Sequence, residues 1–179
     1  MPEVDARSHD ARPLDVRALV VIGPMAAGKS KIGRRVARLL GMPFSDTDRV
    51  VVSAHGPIPA IFEREGEDAF REYERDAVAR AVAKRSVVSL GGGAVVHPST
   101  AELLSAATVV YLTVSPEAVR SRIAGSNRPL LTDGVESWER IFAERKPLYE
   151  RLATATWDTS TLPISRIADE IAHWAKGRI

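Results

Sequence analysis

Residues 23–30 read GPMAAGKS and stand between the apolar run 18–22 (ALVVI) and a stretch with helical periodicity. The pattern is G-x-x-x-x-G-K-[ST]. Its four fixed positions recur by chance about once in 10⁴ to 10⁵ starts at average composition. A buried strand that turns sharply into a helix leaves the first helical N–H groups unpaired, and the helix dipole makes their cluster attractive to an anion. The spacing therefore predicts a loop in which Gly23, Ala26, Ala27, Gly28, Lys29, Ser30 and Lys31 surround the phosphates of a nucleotide. Lys29 is placed to reach the β- and γ-phosphates, and the Ser30 hydroxyl to ligate Mg²⁺. The two alanines fall where the pattern is free, and backbone geometry that a Cβ tolerates is expected there. Motors, switches, pumps and small-molecule kinases all use such a loop, so the reaction must be read downstream.

The rest of the chain repeats the alternation of strand and helix. After Gly28 the spacing puts Ile32, Val36, Leu39 and Leu40 on one helical face, and Gly41-Met42-Pro43 ends that helix. A short extended segment leads to Ser45-Asp46-Thr47-Asp48, and helical periodicity runs from about 59 to 84 with Phe70, Tyr73, Ala77 and Ala81 in register. Residues 86–90 (SVVSL) and 108–114 (TVVYLTV) read as buried strands, the first broken by Gly91-Gly92-Gly93. Ser115-Pro116 opens a helix, with Ser as N-cap and Pro at the first helical position. Residues 125–135 form a loop, 136–153 a helix and 156–159 a short strand. In a last amphipathic helix, 164–176, Ile167, Ile171 and Trp174 face inward. Strands separated by helices predict a three-layer α/β fold with a parallel sheet, a single domain over 18–179.

Composition removes several functions. The 179 residues carry 25 Lys+Arg against 23 Asp+Glu, with no run of five like charges, so no basic face for nucleic acid is expected. The apolar runs are far too short to span a membrane. Cysteine is absent, which excludes disulfides and thiolate metal sites and suits a cytoplasmic protein. Residues 1–17 mix acids with arginines and lack an apolar core, so they read as a disordered tail and not as a leader. The histidines show no metal-ligand spacing.

Five further segments carry chemistry. Asp46 and Asp48 follow the second apolar segment, and on an extended chain residues i and i+2 point the same way. One could support Mg²⁺, and the other could accept a proton from an attacking hydroxyl. Arg71 and Glu74 lie three apart on a helix, ordinarily a surface ion pair. Three glycines at 91–93 cost backbone entropy and suit a chain that approaches a ligand closely. Arg128, in Asn127-Arg128-Pro129-Leu130-Leu131, sits where a lid over phosphates would want a cation. Arg145 lies four residues before Tyr149, and a pair such as Arg71 and Arg145 suits capture of a carboxylate.

In order and spacing GPMAAGKS, DTD, FREYE, SLGGG, RPLL and ERKPLY resemble the motifs of shikimate kinases, over about residues 18–175. The resemblance implies a nucleoside monophosphate kinase-like P-loop fold, with a five-stranded parallel sheet, helices on both faces and a mobile lid near 125–135. It implies transfer of the γ-phosphoryl of ATP, with Mg²⁺, to the 3-hydroxyl of shikimate by a monomeric, cytoplasmic enzyme without nucleic-acid or membrane partners. Lys29, Asp48 and Arg128 are then the catalytic set, and Ser30 and Asp46 the metal set. Asp48, Arg71, Glu74, Gly91, Gly92, Gly93 and Arg145 bind shikimate. Arg122 and Pro163 complete the ATP site near adenine. The loop reads AAGKSK where that family usually carries GSGKST or GAGKST, which marks Ala27 and Lys31 as atypical. A kinase of another small hydroxy acid such as gluconate, and a nucleotide-binding module without turnover, are the competing readings. FREYE, SLGGG and the arginine of ERKPLY favour shikimate.

Overall fold

The computed structural model describes residues 18–123 and 134–179. The tail at 1–17, and the lid with Arg128 except for its last two positions, lie outside the described residues. The elements run β1 (Leu19–Ile22), α1 (Lys29–Leu40), β2 (Phe44–Asp46), α2 (Thr47–His55), α3 (Ile58–Val82), β3 (Val87–Ser89), α4 (Thr100–Leu103), β4 (Thr108–Thr113), α5 (Pro116–Ile123), α6 (Gly134–Leu152), β5 (Ala155–Asp158) and α7 (Ile164–Ala175). A 3₁₀ turn at Ala94–Val96 follows β3.

Among the described residues the strands form one five-stranded sheet in the order β2-β3-β1-β4-β5, with all four neighbouring pairs parallel. A parallel strand covered on both faces must be apolar on both, which is why 18–22 and 109–112 are unbroken apolar runs. Alternation then sorts the residues. Leu19, Val21, Val110 and Leu112 pack with Ile32, Val36, Ile167 and Ile171 of α1 and α7. Val20, Ile22, Val109 and Tyr111 face the other way, against Val78 of α3 and Tyr149 of α6. Each large aliphatic buried in these layers contributes about 1.5–3 kcal/mol over leaving it exposed.

Three expectations change. Leu39 is 44% exposed, because α1 turns Ile32, Val36 and Ala37 inward and Phe44 packs over Gly33 instead. The helical region at 59–84 begins at Ile58 and breaks at Gly66, whose φ of 86° and ψ of 171° are not helical. A separate helix, α2, starts within DTD itself and packs on α3 around Val51, Ile61 and Phe70.

The site follows from strand order. Across β2, β3 and β1 the register sets Asp46 beside Ser89 and Ser89 beside Val21. The segments leaving three adjacent strands at their carboxyl ends are therefore DTD, GGG and the phosphate loop. In an open parallel sheet this is where ligands bind.

Candidate active site

The phosphate loop leaves β1 at Gly23, where a Cβ would collide with Leu112 O. It enters α1 through Gly28, whose φ of 87° is left-handed. Lys29 Nζ donates to Pro24 O at 2.9 Å, which lays the ammonium across the loop. Ala27 is fully buried, whereas Lys31 is exposed on the first turn of α1. The strained position is Ala26, not Ala27. Its φ of 67° is left-handed, a conformation that costs a residue with a Cβ about 1–2 kcal/mol. The expectation that both alanines rest in tolerated geometry fails there.

Two side chains from outside the loop bond its carbonyls. Trp138 Nε1 on α6 donates to Met25 O (3.0 Å), and Arg122 Nη1 on α5 donates to Ala26 O (2.8 Å). Arg122 also donates to Thr159 Oγ1 (3.3 Å) and to Thr159 O. Its guanidinium thus engages backbone of the phosphate loop and of the β5–α7 connection. Pro163, the N-cap of α7, ends that connection.

Asp46 and Asp48 do not share one side of an extended chain, because the strand stops between them. Asp46 is the N-cap of α2 and accepts from Arg49 N (3.2 Å), while Asp48 belongs to the first helical turn. The two carboxylates are thereby given separate partners. Ser30 Oγ donates to Asp46 Oδ2 at 2.6 Å, with Ser89 Oγ 3.5 Å away. Asp48 instead lies in the fields of Lys29 and Arg71. Burial pushes the Asp48 carboxyl above the ordinary carboxylate range. Lys29 opposes this, Asp46 adds to it, and Arg71 pulls back.

Thr47, between them, was given no role by the sequence. It is fully buried, accepts from Gly91 N (3.0 Å) and donates to Ser89 O (3.4 Å), tying the start of α2 to the glycine segment. Its only signal is a hydroxyl flanked by two acids, which any turn can supply.

Arg71 and Glu74 are not a surface pair. Arg71 Nη1 donates to Glu74 Oε2 (2.7 Å) and Nη2 to Glu67 Oε1 (3.0 Å), and Glu74 is only 2% exposed. Burial raises the Glu74 carboxyl, the Arg71 hydrogen bond and charge lower it, Asp48 raises it again, and Arg145 lowers it. The glycines make room for these groups. A Cβ on Gly91 would fall on Asp48 Oδ1 and 2.6 Å from Glu74 Oε1, and one on Gly93 would lie 2.5 Å from Arg71 Nη1. Gly92 approaches Gly23 O and Met25 N of the phosphate loop. Its own carbonyl accepts from Tyr149 Oη at 2.5 Å. Burial pushes the Tyr149 phenol up to about 12, against the pull of the neighbouring Arg145 charge. Half-buried Arg145 thus lies at the same cluster as Arg71, its charge acting on both Tyr149 and Glu74.

The close approach at Gly91 has a measurable consequence. Gly91→Ala should lower kcat/KM for the acceptor by about 10²-fold or more, because misplacing a reacting group by about 1 Å costs that much. An alanine variant with unchanged kinetics would mean that Asp48 and Glu74 are not held where activity requires them.

Residues 25–176 match the protein family described as shikimate kinase. The chain belongs to the shikimate kinase family. The shikimate kinase of Mycobacterium avium (strain 104) is 45% identical over 146 residues, covering 79% of this chain and 83% of that protein. The shikimate kinase of Corynebacterium efficiens is 41% identical over 167 residues, covering 91% and 96%. Among solved structures, a shikimate kinase from Acinetobacter baumannii in complex with shikimate superposes with a TM-score of 0.80 at 32% identity. That match covers 91% of this chain and 94% of the other. In this member of the shikimate kinase family the five motifs that fall within the described residues resolve into two adjoining groups. Phosphate loop, Ser30, Asp46 and Arg122 form one, and Asp48, Arg71, Glu74, the glycines, Tyr149 and Arg145 form the other. Arg128 lies outside the described residues.

Proposed function

We infer that the protein transfers the γ-phosphoryl group of ATP to the 3-hydroxyl of shikimate, giving shikimate 3-phosphate and ADP on the route to chorismate and the aromatic amino acids. The observation that carries this is the juxtaposition of Asp48 with both Lys29 and Arg71. One carboxylate lies within the fields of both the phosphate-loop ammonium and the arginine assigned to the acceptor's carboxylate. An acceptor gripped by Arg71 and Arg145 would present a hydroxyl to Asp48 beside the γ-phosphate.

Phosphoryl transfer needs positioning and charge neutralisation more than covalent help. Lys29 and Arg128 hold the phosphates, and the N–H groups of 26–30 cradle them. Arg71, kept charged and oriented by Glu74, meets the shikimate carboxylate with Arg145. Asp48 orients the attacking hydroxyl and takes its proton as the new P–O bond forms. The raised pKa of its carboxyl suits that acceptance. Ser30 Oγ and Asp46 Oδ2, 2.6 Å apart at the loop, are hard oxygen donors that fit Mg²⁺ together with nucleotide phosphates. When bound, that ion neutralises charge on the transferring group. Arg122 and Pro163 border the adenine, and closure of the lid excludes water.

The protein acts as a cytoplasmic monomer on small molecules, with neither nucleic acid nor membrane as partner. No described helix is long and apolar enough to cross a membrane. Coupled ADP release with shikimate, quinate and gluconate as acceptors tests the reading. Turnover should require shikimate, and turnover of gluconate without shikimate would overturn it.

A further inference from the structure

The phosphate loop is held from behind by groups with no place in its motif. Met25 O accepts from the Trp138 indole and Ala26 O from the Arg122 guanidinium, at 3.0 and 2.8 Å. In a trans peptide the C=O of one residue and the N–H of the next point in opposite directions. Drawing these two carbonyls outward therefore turns the Ala26 and Ala27 N–H groups toward the loop interior. The Ala27 N–H indeed points across it to Pro24 O (3.4 Å). The orientation is not free, since Ala26 holds it at a φ of 67°. Glycine would adopt that conformation without a Cβ penalty. An alanine there favours relaxation of the loop, and relaxation would turn a carbonyl toward the phosphates.

Trp138 is suited to resist this. It is 3% exposed, stacks on Phe142 with ring centroids 4.9 Å apart, and sits in the first turns of α6, the helix that also carries Arg145 and Tyr149. The indole N–H is a donor only, and Met25 O is the partner that satisfies it.

We propose that Trp138, assisted by Arg122, is a positioning residue for the nucleotide, holding the strained Met25–Ala26 turn in its phosphate-binding shape in compensation for the alanine at 26. The proposal rests on the reading of the loop as an ATP site. It makes Trp138 matter for nucleotide but not for acceptor.

The test is a cycle of Trp138→Phe, Ala26→Gly and the double variant. ADP with Mg²⁺ is titrated calorimetrically, and KM for shikimate serves as a control. Phenylalanine keeps the stack on Phe142 and loses only the donor. Trp138→Phe should weaken ADP about three- to tenfold, the range for one lost hydrogen bond, with KM for shikimate unchanged. Ala26→Gly should restore most of that loss in the double variant. A merely structural role would instead give additive effects and move both substrates. Ala26→Gly alone should also raise Tm, and this holds whether or not Trp138→Phe folds well. An additive cycle, unchanged ADP affinity in Trp138→Phe, or a Tm that does not rise in Ala26→Gly would each overturn the proposal. A wild-type chain that fails to bind ADP would overturn the function itself, a separate result.

Discussion

Asp48→Asn should lower kcat by about 10²–10⁴-fold, the range for a positioned general base, while leaving KM for ATP near the wild-type value. Asn can still orient the acceptor hydroxyl by hydrogen bonding but cannot take its proton. The same substitution should raise Tm in nucleotide-free, Mg²⁺-free protein. The sign follows from burial, which raises the folded pKa of Asp48 above its ordinary value of 3.8 against the pull of Lys29 and Arg71. A carboxyl with a raised folded pKa costs nothing below its unfolded pKa. It destabilises the fold as pH rises through the folded one. The variant's advantage in Tm should therefore open above pH 3.8 and persist at neutral pH. A variant that is slow and also less stable at neutral pH would show that Asp48 serves the fold, not the reaction.

Arg145→Ala should raise KM for shikimate by about 10²–10³-fold, the effect of removing one partner of a desolvated charge pair. The fold should survive, because Arg145 is half-buried and the neighbouring Tyr149 keeps Gly92 O as its hydrogen-bond partner. Arg71→Ala is a useful contrast. It strips the hydrogen bond from Glu74, which is 2% exposed, so Tm should fall along with shikimate binding. Arg145→Ala is thus the cleaner probe of the acceptor site. An unchanged KM for shikimate in that variant would remove Arg145 from the carboxylate site.

Much of this site is readable in the chain because its parts are local. A phosphate loop is eight consecutive residues whose geometry the sequence specifies, and the apolar runs of a doubly covered sheet announce themselves. What the sequence hides is how separate segments meet. Nothing at 71–74 distinguishes an ordinary i,i+3 pair from one buried against Asp48 and Gly91. That distinction comes from strand order, which places DTD, GGG and the loop side by side. The pairing of Asp46 with Ser30, and the placing of Asp48 in the fields of Lys29 and Arg71, depend on a helix beginning between two aspartates, where an extended chain was expected. Thr47, Tyr149 and Trp138 act through long-range hydrogen bonds to backbone carbonyls and N–H groups, which no periodicity reports. The strain at Ala26 is equally silent, since the loop motif constrains neither its side chain nor its φ.

Phosphate loop and acceptor site meet so that this chain phosphorylates one hydroxyl of shikimate. The most direct measurement is ³¹P–¹H correlation NMR on the product of a complete turnover with ATP, Mg²⁺ and shikimate. The product should be one phosphate monoester coupled to the proton at carbon 3, formed in equal amount with ADP. Inorganic phosphate as the only new phosphorus species, or an ester on another hydroxyl, would contradict it.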